Sequence, residues 1–409
     1  MPARLQTFDA LSEPTYRRLW ISAWFLYVAR MVELVVLSWM ILEITDSPSK
    51  VALVGIFRMM PMFFLGLVAG ALADRLPKLS VLKAVLFINL VVASIFLVLI
   101  TSGELLPWHV YIGIFITGTG WTLDFAARRS LYPELFPEAG LVNAISLDTA
   151  SLTGSMMIGP LLGGGLISLS GFSGAYWTMI SMYTAALLLV LTIRSGGLGL
   201  AAGATGSILS KVNEALRTIR VNRTIRAAFI VTVLLNFFGF PYIQMVPVIA
   251  RDVLGVREIL FGLLMSSAGL GALLGSLLIA SRTISNRGAV YLFGACLMLG
   301  GLFFFAMSDI YLVSLVLLFI AGIGTAGFAT MQISLALGAV PQELRGRAMG
   351  AIALAIGASP LGMLVLGQMA EVWGAPTALA LLAGSGFFVL LSLWWLVPEL
   401  RDHSKKSGN

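Results

Sequence analysis

Twelve long, mostly apolar stretches, joined by short links except at the middle of the chain, leave few folds open to this sequence. They cover about 18–44, 51–73, 81–100, 108–127, 141–169, 175–193, 224–249, 259–280, 289–307, 310–337, 348–370 and 377–397. A helix of about 20 apolar residues crosses a bilayer's hydrocarbon core. No water reaches a backbone amide there, so each must find its partner within a helix or a closed barrel. Runs of this length select helices. Composition points the same way: only 11% of the 409 residues are charged, against about 25% in soluble proteins. The predicted fold is therefore an all-α membrane protein with twelve transmembrane helices, consecutive ones antiparallel.

Lys and Arg set the orientation, because cytoplasmic links carry the excess of positive charge. With the N-terminus inside, inner segments hold 21 of the 26 Lys and Arg residues, and outer segments hold three, Lys50, Arg251 and Arg257. The remaining two, Arg30 and Arg58, fall within apolar runs. Both termini of this multi-pass protein are thus expected in the cytoplasm. The net charge of +7 reads as a topology signal, and nucleic acid is not an expected partner. The polar segment 1–13 lacks an apolar core with a small-residue cleavage site, so no cleaved leader is expected.

Other classes of chemistry find no residues to use. A single cysteine, Cys296, excludes an intramolecular disulfide or a multi-thiolate metal site. His109 in a link and His403 in the tail form no His/Cys cluster for zinc or nucleophilic catalysis. The run Gly322-Ile323-Gly324-Thr325-Ala326-Gly327 lies inside an apolar span, where small residues serve close helix packing. No Walker-type sequence is present. An enzyme is not expected, and neither a cofactor nor ATP is implied.

The central link is of another kind. Residues 194–206 are rich in Gly and Ala, and 207–221 then place Ile208, Val212, Leu216 and Ile219 on one helical face. This predicts an amphipathic helix at the cytoplasmic membrane surface. It divides the chain into a six-helix bundle over 1–193, a linker over 194–223 and a second bundle with a short tail over 224–409. The halves echo one another. Gly66 and Gly70 have counterparts in Gly271 and Gly275, and Asp46 has one in Asp252. Pro137-Glu138 resembles Pro341-Gln342, and Pro160 and Pro360 interrupt the runs that follow. Internal repeats of this sort are common in secondary transporters, with the substrate site near the midplane.

One stretch carries a family likeness. Gly66 and Gly70 sit in a run that ends in Asp74-Arg75-Leu76-Pro77-Lys78, and this resembles the signature loop of the major facilitator superfamily, with Pro77 where a glycine is usual. Gly159-Pro160-Leu161-Leu162-Gly163-Gly164 is similar to the motif of its proton-driven exporters, with Ser155 replacing an upstream glycine. Pro341-Gln342-Glu343-Leu344-Arg345-Gly346-Arg347, Tyr16-Arg17-Arg18-Leu19-Trp20 and Asp124-Phe125-Ala126-Ala127-Arg128-Arg129 look most like the branch holding the enterobactin exporter and macrolide efflux proteins. The resemblance implies two six-helix bundles related by pseudo-twofold symmetry, alternating access, and a cavity lined chiefly by helices one, four, seven and ten. It also implies an inner latch, with Asp74 meeting Arg345 or Arg347, and Arg75 or Lys78 pairing with Asp124. Export of a drug- or siderophore-class molecule, amphiphilic or anionic, by proton antiport from a monomer is the expected function. Uniport or import is the alternative, and a non-transporting membrane sensor is the reading from another class.

Charges inside the spans are the remaining candidates, since each costs about 2.5–3.5 kcal/mol at the bilayer centre on the insertion scale. Arg30 and Glu33 share a face of the first run, Tyr27 lies three residues earlier, and Arg58 is in the second. Either Glu33 exchanges a proton beside the two arginines, or the three form a structural ion cluster. Asp124, four residues before Arg128, is expected in a latch pair, with a proton site as the second reading. Asp148 is expected to be a solvated or capping residue. The second half has no central charge; Asn236, Gln244 and Gln332 are its polar candidates, for cargo binding or for helix–helix hydrogen bonds. The orientation is testable in a Cys296→Ser background. Cysteines at Lys50 and Arg257 are expected to react with an impermeant maleimide applied outside intact cells, and one at Arg217 is not.

Overall fold

The computed structural model describes residues 6–73, 77–136, 138–193, 208–282, 284, 286–341 and 344–396. The helices are α1 (Pro14–Thr45), α2 (Pro48–Ala73), α3 (Lys78–Ser102), α4 (Pro107–Leu135), α5 (Glu138–Leu191), α6 (Ile208–Val221), α7 (Arg223–Phe238), α8 (Val246–Asp252), α9 (Glu258–Ala280), α10 (Arg287–Ala306), α11 (Tyr311–Gly338), α12 (Arg345–Ile356), α13 (Ser359–Trp373) and α14 (Ala375–Leu396). Two 3₁₀ turns, Gln6–Ser12 and Phe240–Gln244, complete the set. No strand occurs among the described residues.

Ten segments among the described residues are long and apolar enough to cross a membrane. One of them, Gly140–Leu191, has 52 residues. At 1.5 Å per residue it would run to about 78 Å, more than twice the hydrocarbon thickness. It is broken at Gly171, whose φ of 67° and ψ of −175° suit a residue without a Cβ. The segment therefore makes two passes. With α2, the passes come to the expected twelve. The prolines behave differently from one another. Pro160 is carried within α5, whereas Pro360 stands in the first turn of α13, after a break at Gly357–Ala358. The seventh pass is likewise divided, α7 giving way at Gly239 to the 3₁₀ turn and α8.

The chain forms two compact units. One contains Met1–Leu37 and Met60–Gly206, the other Ser38–Met59 and Ser207–Asn409, so the division falls within α1 and α2. Residues 38–59, expected with the first bundle, make their contacts within the second unit. The helix α6 belongs to that unit too and packs against α12 and α7. Ile219 is buried there, while Leu216 of the same apolar stripe stays exposed. Large apolar side chains such as Phe64, Val98, Phe293 and Phe388 are more than half exposed. That suits lipid, which offers an apolar side chain nothing to avoid.

Small residues replace the hydrophobic effect as the basis of helix packing. In the second unit Gly271 and Gly275 of α9 meet α11. A Cβ on Gly271 would stand 2.0 Å from the Phe319 carbonyl oxygen, and one on Gly322 would stand 2.1 Å from that of Ala268. Both obstacles are backbone, so no side-chain rotation relieves them. The same close approach joins Gly294 of α10 to Gly324 and Gly327 of α11. In the first unit Gly159 and Gly163 of α5 lie against Met31 and Val35 of α1. Forcing a methyl into such a seam costs about 1–3 kcal/mol. Gly271→Ala and Gly322→Ala are each expected to lower the unfolding temperature in detergent, whereas Gly165→Ala, which meets open space, is not.

Candidate functional site

Helices α1 and α4 run antiparallel in the first unit, and their polar residues fall on the facing sides. On α4, Thr117, Trp121, Asp124 and Arg128 recur at steps of four, three and four, one stripe of a 3.6-residue helix. On α1, Tyr27, Arg30 and Glu33 recur at steps of three. Glu33 accepts a hydrogen bond from the Thr117 hydroxyl at 3.3 Å. The Arg30 guanidinium lies over the Trp121 ring, 4.1 Å from its centroid, a contact of about 0.5–2 kcal/mol depending on desolvation. Tyr27 meets the same indole edge to face at 5.4 Å. Arg30 and Glu33 are only 6% and 4% exposed. Both therefore point into the protein, toward α4.

Asp124 and Arg128 form a closed pair one turn farther along α4. Both side chains are fully buried. The guanidinium donates to both carboxylate oxygens, at 2.9 and 2.8 Å. Its remaining nitrogen donates across to α1, to the Leu19 carbonyl at 2.8 Å and the Ser22 hydroxyl at 3.0 Å. This bidentate fork consumes the charge of both residues. Lys78, one of the two partners expected for Asp124, does not pair with it. Lys78 Nζ instead bonds the Glu134 carboxylate and the Ser130 carbonyl, because α3 starts beside the last turns of α4. Asp74 and Arg75 lie outside the described residues. Gly66 and Gly70 lie within α2, and Arg345 opens α12. Arg347 pairs with Glu214 of α6 at 2.9 Å, half-exposed.

Asp148 corrects the sequence reading. It is neither solvated nor a cap, but completely buried. Its Oδ1 accepts from the Tyr27 hydroxyl at 2.8 Å and the Tyr132 hydroxyl at 2.9 Å. Arg129 Nε stands 3.4 Å from Oδ2. Tyr27 thus lies in the buried interior and ties α1 to α5. Tyr16 does likewise, donating to the Ala144 carbonyl at 2.6 Å and packing edge to face on Tyr132. Position near a helix end conceals this in the sequence, since the two tyrosines bonded to Asp148 lie 121 and 16 residues away.

In the second unit Asn236 and Gln332 enter a helix-joining network. Gln332 donates to the Thr232 hydroxyl at 2.8 Å, which lies 2.8 Å from the Tyr291 hydroxyl, and Asn236 donates to the Thr232 carbonyl at 2.9 Å. Phe328 stacks on Tyr291 at 5.1 Å. Gln244, in the 3₁₀ turn, accepts from Ser38 at 3.4 Å, and Arg58 is 5% exposed. Arg251 bridges the repeat-related acids, bonding Asp46, Asp252 and the Leu42 carbonyl. Glu371, which the sequence places only near an outer end, caps α2. It accepts from Ser47 Oγ at 2.8 Å and the Ser49 amide at 3.1 Å.

The family described as transmembrane secretion effectors, a group within the major facilitator superfamily, matches residues 5–407 of this chain. The chain belongs to the major facilitator superfamily. As a member it resembles the staphyloferrin A transporter of Staphylococcus aureus, at 22% identity over 95% of this chain and 98% of that protein. It also resembles an uncharacterised MFS-type transporter of Bacillus subtilis, at 25% identity over 91% and 90%. A POT family transporter solved with 5-aminolevulinic acid shares the fold, with a TM-score of 0.78 at 12% identity, over 95% of this chain and 96% of that one. This major facilitator protein is thus a multi-pass membrane transporter of a small molecule, not an enzyme.

The Asp124–Arg128 pair makes a direct prediction. Asp124→Ala leaves a buried guanidinium without its carboxylate, which costs about 3–5 kcal/mol. Thermal unfolding in detergent is expected to fall sharply, and Asp124→Asn combined with Arg128→Gln is expected to recover most of the loss.

Proposed function

We propose that the transporter exports a small amphiphilic or anionic molecule, of the drug or siderophore class, in exchange for protons through alternating access. The observation that carries this reading is the burial of Arg30 and Glu33 on the face of α1 that meets α4. Charges kept inside a span at such cost are rare, and they mark substrate and proton paths as well as holding helices together. Glu33 is the proton-exchanging group in this proposal. Arg30, held on Trp121, offers its cation to an anionic cargo group or biases the ionisation of Glu33. Arg58 is a third charged candidate, in the second unit. The neutral amides Asn236, Gln244 and Gln332 suit hydrogen bonding but carry no proton, so in this proposal the titrating group belongs to the first half. The relative named for staphyloferrin A supports a siderophore-class cargo, and the exporter-like motif at Gly159–Pro160 supports the outward direction. The inner gate is assigned to Asp74, Arg75, Arg345 and Arg347, and the membrane to the bacterial plasma membrane with both termini inside.

Uptake of cargo into inverted vesicles, whose cytoplasmic face is outward, compared with and without an imposed pH gradient, tests the coupling. Acceleration by the gradient is expected, and equal rates would remove antiport. Glu33→Gln is expected to abolish gradient-driven flux by tenfold or more while cargo-for-cargo exchange persists. A fully coupled variant would move the proton site elsewhere.

A further inference from the structure

Asp148 has a setting that neither Asp124 nor a structural tether requires. Asp124 has both oxygens bonded to one arginine, whose other nitrogen is anchored on α1. Its charge is spoken for. Asp148 is equally buried, yet only one of its oxygens is hydrogen-bonded. Oδ2 accepts no hydrogen bond among the described residues, and Arg129 Nε, 3.4 Å away, donates none. The Arg129 guanidinium lies over the Phe125 ring at 4.1 Å, and its side chain is 37% exposed. One end of this cation is thus in solvent while the other is against a buried carboxylate oxygen. A loosely held cation of this kind can leave when the acid is neutral and return when it is charged.

The other ionisable groups facing Asp148 do not replace it. From α1 come Tyr16 and Tyr27, and from α4 come Tyr132, Arg129 and the self-neutralised Asp124–Arg128 pair. The 3₁₀ turn packed on α5 brings Asp9, which is exposed. Helix α3 meets α5 around Phe96 and Tyr176 in its second pass. The two tyrosines are hydroxyl donors to Oδ1 in either state of the acid, so a proton has one open seat, on Oδ2.

We infer that Asp148 is a proton-binding site of the transport cycle, with Arg129 the cation that docks on its charged form and is released from its neutral one. The step is a simple transfer: water delivers H⁺ to Oδ2, the carboxylate becomes the neutral acid, and Arg129 keeps its charge on the Phe125 face and in solvent. This rests on the proton-antiport reading and adds a site to Glu33, toward the end of α4 assigned to the cytoplasm.

Infrared pH titration of the purified, cargo-free protein tests it. The wild type is expected to gain a carboxylic-acid C=O band on acidification that Asp148→Asn lacks and Glu33→Gln retains. Asparagine still accepts from both tyrosines, so a purely structural role predicts a folded variant with unchanged spectra, and that result would overturn the inference. If Asp148→Asn fails to fold, Tyr132→Phe serves: losing one donor is expected to move the band to higher wavenumber, and an unmoved band overturns the assignment. Coupling is read with spin labels at Glu104 and Arg257 in a Cys296→Ser background. A pH step is expected to shift the distance distribution in the wild type and to leave Asp148→Asn in its acidic form. An equal shift in both refutes Asp148 alone. Wild-type efflux indifferent to a pH gradient refutes the antiport reading itself, and with it any part for Asp148 in the cycle.

Discussion

Hydrocarbon offers no partner to a polar group, and the arrangement of this protein follows from that scarcity. Backbone amides are satisfied by running the chain as helices through every pass. Side chains that carry charge or a strong dipole must then find one another inside the helix packing. Asp124 and Arg128 do so most completely, as a bidentate pair whose spare nitrogen reaches Leu19 and Ser22. The pair lies on one stripe of α4 and binds α1, so it also aligns Trp121 and Thr117 with Arg30 and Glu33. The register of the candidate site is set by a bond that does not itself belong to it.

The two units solve the same problem with different chemistry. The first uses full charges: Asp124–Arg128, Lys78–Glu134 and Asp148 among its tyrosines. The second buries the charge of Arg58 and joins helices through the neutral groups of Thr232, Tyr291, Gln332 and Asn236. Ionic contacts of this unit are also found at helix ends, where Arg251 meets Asp46 and Asp252 and where Glu214 meets Arg347. Glycine seams in α9, α10 and α11 bring backbones close enough for dispersion to substitute for a hydrophobic drive that lipid does not supply.

Much of this is legible along the chain. Run length and the distribution of Lys and Arg indicate the helical passes and their expected direction, because both are local consequences of the solvent. The 3.6-residue period places Arg30 and Glu33 on one face of α1. Asp148 is misleading, since closeness to a helix end suggests water where Tyr27 and Tyr132 close over it. Lys78 finds an acid other than the expected one for a related reason: loop charge patterns name the participants without stating which carboxylate is within reach. Asn236 and Gln332 are visible as polar residues in apolar runs, but their shared partner Thr232 has no distinguishing mark in sequence.

By itself, then, the sequence determined what must be inside a bilayer, how many times the chain crosses, and which few residues break the rule against buried charge. Those are properties of single segments in contact with their solvent. Tertiary structure alone decided who pairs with whom: that Arg128 closes on Asp124 and α1, that Glu371 caps a helix 322 residues away, and that Asp148 is sealed yet left with one oxygen unbonded. Such pairings depend on the rotation and depth at which helices meet, and no period within a single helix encodes either.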